Sequence, residues 1–217
     1  MTGLIRRIRI REQGITGLET AIILIAFVVV AAVFSYTVIS AGMFATQKSQ
    51  QAVHSGIKEA QGSIEINGAV VAKGGTTGIS GTIKQFTFTV SGAMGGDPMD
   101  FTAPTADGTN NGLAASGSNN VVVIGYFDKN QRVDDLYYTI QQLGGADSDN
   151  LLENGEKFQI TIGNDTAGAD GGNMVDALGT NLTVNTQFSI EVKTTHGGIL
   201  TLERTTPAHI DNVMNLY

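Results

Sequence analysis

"REQGITGLETAIILIAFVVVAAVFS", residues Arg11 to Ser35, sets an acid, Glu19, at the mouth of an uninterrupted apolar run from Ala21 to Phe34. From Thr20 to Gln47 the chain carries no charged residue. About 20 apolar residues at about 1.5 Å rise cross the hydrocarbon core of a bilayer, and only Ser35, Tyr36, Thr37 and Ser40 dilute the second half of this one. The stretch therefore predicts a helix that can sit in a membrane. Arginines just before it place the amino terminus in the cytoplasm and everything after Lys48 outside.

Outward toward the amino terminus, Arg6, Arg7, Arg9 and Arg11 stand against the single acid Glu12, a net +3 over the first fourteen residues. With −7 over the whole chain, the remainder carries −10. An acidic body opposes binding to nucleic acid or to anionic lipid heads. An Arg-rich leader, then Gly14, then an apolar helix reads as a processing signal over residues 1–14. An ordinary secretory signal would instead be cut near Ser40 to Gly42. That alternative leaves the long run and its continuation without purpose.

Toward the carboxy terminus, Met43, Phe44, Val53, Ile57 and Ile64 continue at helical spacing among Gln47, Lys48, Gln50, Gln51, Lys58 and Glu59. The pattern predicts one helix over residues 15–62, oily first and amphipathic to about Gln61, with Gly62 as its stop. Beyond Ile64 the texture changes to short strands between Gly, Asn and Asp. In "TIKQFTFTV", Phe86, Phe88 and Val90 alternate with polar residues, the period of a half-buried strand. "VVVIGYF" (121–127), "LYYTIQQL" (136–143), "KFQITI" (157–162), "QFSIEVK" (187–193) and "GILTLERTT" (198–206) read the same way, and all three prolines lie outside them. The fold class is α+β, a long amino-terminal helix followed by an antiparallel β-sandwich or barrel head over residues 63–217. Gly92 to Asn120 reads as a long surface loop.

Chemistry has few carriers. His54, His196 and His209 are scattered, and cysteine is absent, so no nucleophile or zinc pattern forms. "SGAMGGD" and "HGGI" lack the Lys-Ser or Lys-Thr of a phosphate loop and read as turns. "DSDNLLENGE" offers Asp147, Asp149, Asn150, Glu153 and Glu156, and "NDTAGADGG" offers Asp165 and Asp170. These are hard oxygen ligands of the kind that hold Ca²⁺ or Mg²⁺, and Asp147, Asp149 and Glu153 are the weak metal candidates among them. Neither stretch has EF-hand spacing, so both read as acidic solvated turns and no cofactor is expected. Asn164 and Asn181 begin N-x-T sequons in the exterior part of the chain and are candidate N-glycosylation sites.

"GITGLETAIILIAFVVVAAVF" resembles the amino terminus of archaeal flagellins (archaellins), members of the type IV pilin superfamily. "LLENGEKFQITI" and the ending "LTLERTTPAHIDNVMNLY" resemble archaellin carboxy-terminal motifs. The resemblance implies that a prepilin peptidase cuts between Gly14 and Ile15 on the cytoplasmic face, which makes Glu19 the fifth residue of the mature chain. It implies a swimming filament built from copies of the subunit outside the cell, joined to a membrane platform and an ATP-driven motor, with sugars commonly on sequons. The bare residues supply the physics of the acid. A carboxylate at membrane depth needs a partner, and the cut would expose an α-amino group at Ile15, one helical turn before Glu19. A plainer reading leaves Glu19 at headgroup level, where an acid in a first turn suits the helix dipole. An adhesion pilin on the same helix, or a membrane-tethered binding domain, are the alternative functions. An enzyme has no residues to carry it.

Overall fold

The computed structural model describes residues 13–93, 95, 97–195 and 197–216. The basic stretch before them, including Arg6, Arg7, Arg9 and Arg11, lies outside the described residues. So does His196.

Helix α1 runs Gln13–Gln61. Its hydroxyl side chains bond back onto their own helix. Thr20 Oγ1 donates to the Thr16 carbonyl at 2.5 Å, Thr37 to Phe34 at 2.8 Å and Thr46 to Gly42 at 2.8 Å. In an apolar medium this matters, because a donor without water must find an acceptor inside its own segment. The helix stops where the glycine was expected to stop it, with Gly62 N–H donating to the Lys58 carbonyl at 3.0 Å. The chain divides into two compact units at His54 and Ser55, so the last turns of α1 belong to the second unit.

That second unit is the head. Its strands are β1 (Ile64–Ile66), β2 (Val70–Thr76), β3 (Thr82–Gly92), β4 (Met99–Asp100), β5 (Val123–Asp128), β6 (Arg132–Val133), β7 (Tyr138–Leu143), β8 (Leu151–Leu152) and β9 (Lys157–Ile162). A one-turn helix α2 (Met174–Ala177) precedes β10 (Gln187–Lys193), β11 (Ile199–Thr205) and β12 (Val213–Leu216). One sheet has the order β12-β2-β3-β9-β7 with β1 added beside β3, a second has the order β11-β10-β5-β6, and β4 and β8 form a small two-stranded third. Every pairing is antiparallel.

The two sheets meet face to face through the residues that alternate inward. Phe86, Phe88 and Val90 on β3 pair in register with Ile162, Ile160 and Phe158 on β9. Opposite them, Phe188 on β10 lies 5.0 Å from the Phe86 ring and stacks on Tyr126 of β5 at 5.9 Å. All of these side chains are fully or almost fully buried. The sandwich alternative of the sequence reading is thus the one adopted. In β3 the alternation changes phase at a register shift around Lys84, which leaves Gln85 buried beside Phe86. Its amide is satisfied by donating to the Gly163 carbonyl at 2.8 Å. Gly163, at φ +84°, has room there only because it lacks a Cβ, which would sit 2.6 Å from the Lys84 carbonyl.

Two expectations are corrected. Ile64, placed on the helical pattern, lies in β1 opposite Gly92, because Gly62 has already ended the helix. The stretch Gly92 to Asn120 is not simply a surface loop. Phe101 is fully buried, edge-on to Phe158 at 5.9 Å; its N–H donates to the Asn150 carbonyl at 2.8 Å, and β4 pairs with β8. One large aromatic ring draws the segment into the core, where burial outweighs the ordering of the chain around it. Strands β1, β2 and β12 were not foreseen: "VVAKGGT" carries two glycines, and "IEI" and "VMNL" are too short to show a period.

Asp128 closes the turn from β5 to β6. It accepts from Asn130 N–H at 2.6 Å, from Gln131 N–H at 3.0 Å and from the Tyr126 hydroxyl at 2.7 Å. Burial pushes its carboxyl up, but these hydrogen bonds outweigh it and hold the group below its ordinary 3.8. Burial, with Asp128 beside it, pushes the Tyr126 hydroxyl far upward, so Tyr126 remains the donor.

Two outcomes are expected in detergent-solubilised protein. Phe188→Ala should lower unfolding free energy by roughly 3–5 kcal/mol, read from denaturant melts. Because the folded-state value of Asp128 is depressed, its contribution is complete above the ordinary carboxylate range and is lost as pH falls below it. Asp128→Asn should therefore be less stable at neutral pH and show a shallower loss in melting temperature below about pH 4.

Candidate functional site

A helix buried in its own protein hides one face, and α1 hides none. Residues 16–60 are exposed throughout apart from a half-buried Ala31. Leu18, Ile22, Ile23, Leu24, Ile25, Phe27 and their successors to Phe44 stand open on every side. Among the described residues, the only large exposed apolar side chains elsewhere are Ile79, Val121, Ile199 and Val213. Soluble monomers rarely expose more than a few hundred Å² of contiguous apolar surface. A helix hydrophobic all round belongs in lipid or among other helices, and this one is long and apolar enough to cross a membrane.

Glu19 is the one side chain between Gln13 and Gln47 that carries a formal charge, and it is exposed. The next charge along α1 is Lys48, 29 residues on by their numbers, or about 44 Å along the axis at 1.5 Å per residue. Lys48 is out of reach of Glu19 on the same helix. In an apolar setting the acid needs a cation, and this segment of α1 offers none. Gly14 and Ile15 continue the same helical backbone, which places the Ile15 nitrogen one turn before Glu19.

The remaining candidates separate by environment. Asn181 is exposed, beside a buried Leu182 and an exposed Thr183. Asn164 is half-buried and held by its own loop, where its Oδ1 accepts from Thr166 N–H at 3.2 Å and its amide donates to the Asp170 carbonyl at 3.4 Å. The middle residue of that sequon, Asp165, binds Lys73 at 3.1 Å and Lys84 at 3.5 Å; Lys73 chiefly holds its carboxyl below the usual range.

Asp147, Asp149 and Glu153 do not come together as ligands. Asp147 Oδ1 accepts from Asp149 N–H, Asp149 Oδ1 accepts from Leu151 N–H, and the buried Glu156 braces the loop by accepting from Asp147 N–H and Glu153 N–H. Among the described residues no three acidic or histidine side chains are gathered as a metal site would need. His54 is exposed on α1, and His209 pairs with Asp211 at 3.2 Å on the surface.

Sequence reasoning passed over Val121 and Ile199. Both fall in runs expected to be strand, yet β5 starts two residues after Val121, and Ile199 opens an edge strand with its side chain 56% exposed. The signal available was that each stands next to a turn.

A family model described as archaeal-type flagellin matches residues 14–204. Probable flagellin 1 of Archaeoglobus fulgidus is 40% identical over 209 residues, covering 94% of this chain and 95% of that protein. Probable flagellin 2 of the same organism is 36% identical over 216 residues, covering 96% of each. Among solved structures, a chain of the archaeal flagellum of Methanospirillum hungatei strain JF1 is similar at a TM-score of 0.56 and 27% identity, with 92% of this chain and 98% of that one covered.

Removal of detergent should convert a monodisperse preparation into large assemblies, followed by light scattering across the critical micelle concentration. The double change Phe27→Asp and Phe34→Asp should keep the chain dispersed, because two charges on the apolar rod oppose its burial.

Proposed function

The chain belongs to the archaeal-type flagellin family, and from that premise we propose that it is a structural subunit of the archaeal flagellum, polymerising outside the cell into a helical filament used for swimming. The observation that carries this reading is α1, a helix of 49 residues whose positions 16–60 its own chain leaves uncovered apart from a half-buried Ala31. Copies packed side by side would cover it, with the β-sandwich heads outermost. The role is mechanical rather than catalytic, and torque would come from a membrane-bound motor at the filament base.

Assembly begins in the membrane. Residues 1–14 form a leader that a prepilin peptidase removes between Gly14 and Ile15, leaving a transmembrane and filament-core helix over 15–62 and a head over 63–217. Cleavage strips the arginines and creates the amine that Glu19 lacks, in the same or a neighbouring subunit. Moving the helix from lipid to a bundle of helices gains almost no hydrophobic free energy, because lipid tails are as apolar as its neighbours. Side-chain packing and the Glu19 pair therefore drive insertion into the growing fibre. Outside the cell the comparison is with water. Burial on the order of 1,500 Å² at about 25 cal/mol/Å² sets an upper bound of tens of kcal/mol against a subunit leaving. Of the two sequons, Asn181 is the better acceptor, because its amide is exposed while that of Asn164 holds a turn together.

Mass spectrometry of shed, imaged filaments should find subunits beginning at Ile15 and sugar on the peptide containing Asn181 in preference to Asn164. Dispersed monomers with an intact leader would overturn the reading. Glu19→Leu should insert and be processed yet yield few or no filaments; normal filaments from it would remove the pairing mechanism.

A further inference from the structure

We propose that the cleft at the root of α1 seats the amphipathic half of α1 from a second copy of this chain. This rests on the filament reading and deepens it, by naming a contact between one subunit's head and its neighbour's helix.

The cleft lies wholly within the head unit and has a volume of about 440 Å³. Lys58 and Gln61, from the last turns of α1, line it together with Asp97, Met99, Asp100 and Val121. The β10–β11 turn closes over the same root. Thr194 Oγ1 donates to the Gly62 carbonyl at 3.3 Å, and Gly197 approaches so closely that a Cβ there would sit 2.2 Å from that oxygen. The root is therefore a corner closed by direct contact between the turn and Gly62. Val121, which lines the cleft, nevertheless stands open at 41% exposure, and Ile57, next to Lys58 in sequence, is 47% exposed. Ile199, also open, pairs with Lys193, the residue just before Thr194.

Two features select the occupant. The first is continuity: Lys58 and Gln61 are themselves helix residues, so a helix laid along the exposed end of α1, where Val53 and Ile57 stand open, meets the cleft where α1 ends. The second is charge. Asp97 and Asp100 against Lys58 leave the cleft at −1, while the stretch Thr20 to Ile57 carries a single formal charge, the positive Lys48. Met43, Phe44 and Val53 flank Lys48 in sequence and are uncovered in the single chain. A neighbour's helix thus brings apolar side chains for Met99 and Val121 together with a cation for the two carboxylates. An anionic lipid would bring its charge to the same acids and be repelled.

The chain contains no cysteine, so introduced thiols report without background. Val121→Cys is combined in turn with Met43→Cys, Phe44→Cys and Val53→Cys in the full chain, and sheared filaments are oxidised and run on denaturing, non-reducing gels. At least one pair should give a ladder of multimers that reductant abolishes and that detergent-dispersed subunits and single-cysteine filaments do not form. Filaments that give no ladder from any pair, or a ladder from Val121→Cys alone, overturn the proposal. Maleimide labelling of Val121→Cys should be at least roughly tenfold slower in filaments than in detergent-dispersed subunits; equal rates overturn it, as does equal protection in lipid vesicles without assembly. Val121→Asp should block assembly of a subunit that is still processed and whose head still resists protease, whereas Ile79→Asp should assemble. Normal assembly of Val121→Asp also overturns the contact. Filaments without a ladder reject only this seat, while an unmodified chain that forms no filament rejects the filament reading itself.

Discussion

Everything in this molecule is arranged around an apolar rod that it cannot cover by itself. Residues 16–60 have no protein face against them apart from a slight shielding of Ala31, and water is a poor solvent for such a surface. Two environments accept such a surface, a bilayer and a bundle of identical rods. The helix is prepared for both. Thr20, Thr37 and Thr46 turn their hydroxyls back to their own carbonyls, so neither environment meets an unsatisfied donor from them. Glu19 remains the charged group at the mouth of the apolar run, and neither environment welcomes it unpaired.

The head obeys the opposite rule. It satisfies itself almost completely, with Phe86, Phe188 and Tyr126 joining two antiparallel sheets and Tyr138 donating its hydroxyl to the Val122 carbonyl at 3.1 Å. Its acids are used locally. Asp128 closes a turn, Glu156 braces another, and Asp134 and Glu191 meet Arg132 and Lys193 on the outer surface of the four-stranded sheet. Exposed ion pairs of this kind add little stability one by one. They do keep the outer face of that sheet polar, so that the contiguous apolar surface is the one on α1. A self-sufficient head on an insufficient helix is a physical definition of a subunit that must polymerise while remaining soluble on its outer face.

The uncharged stretch after Glu19, the stop at Gly62 and the strands at 82–90, 157–162 and 187–193 were legible in the sequence, because each is a local pattern: a long apolar run, a helix-weakening residue, a period of two. The resemblance of residues 14–34 to archaellins was legible for the same reason, since that segment reads without reference to anything far away. The acid clusters were legible only as clusters. What they do, which is to close their own turns, depends on backbone N–H groups whose positions no composition reveals.

Tertiary structure decided what depends on distant partners. Phe101 leaves an apparent loop for the core because Phe158 and the Asn150 carbonyl wait for it. Val213 to Leu216 become a strand because β2 offers an open edge from the far end of the head's sequence. Asn164 and Asn181 share one three-residue motif, and only packing made the first part of a turn and left the second free. The cleft at the helix root exists because the β10–β11 turn closes against Gly62. Sequence by itself determined the rod, its acid and the β-rich body, since periodicity and hydrophobicity act over a few residues. Folding determined which surfaces remain for a neighbour, since exposure is settled by contacts between residues that lie far apart along the chain.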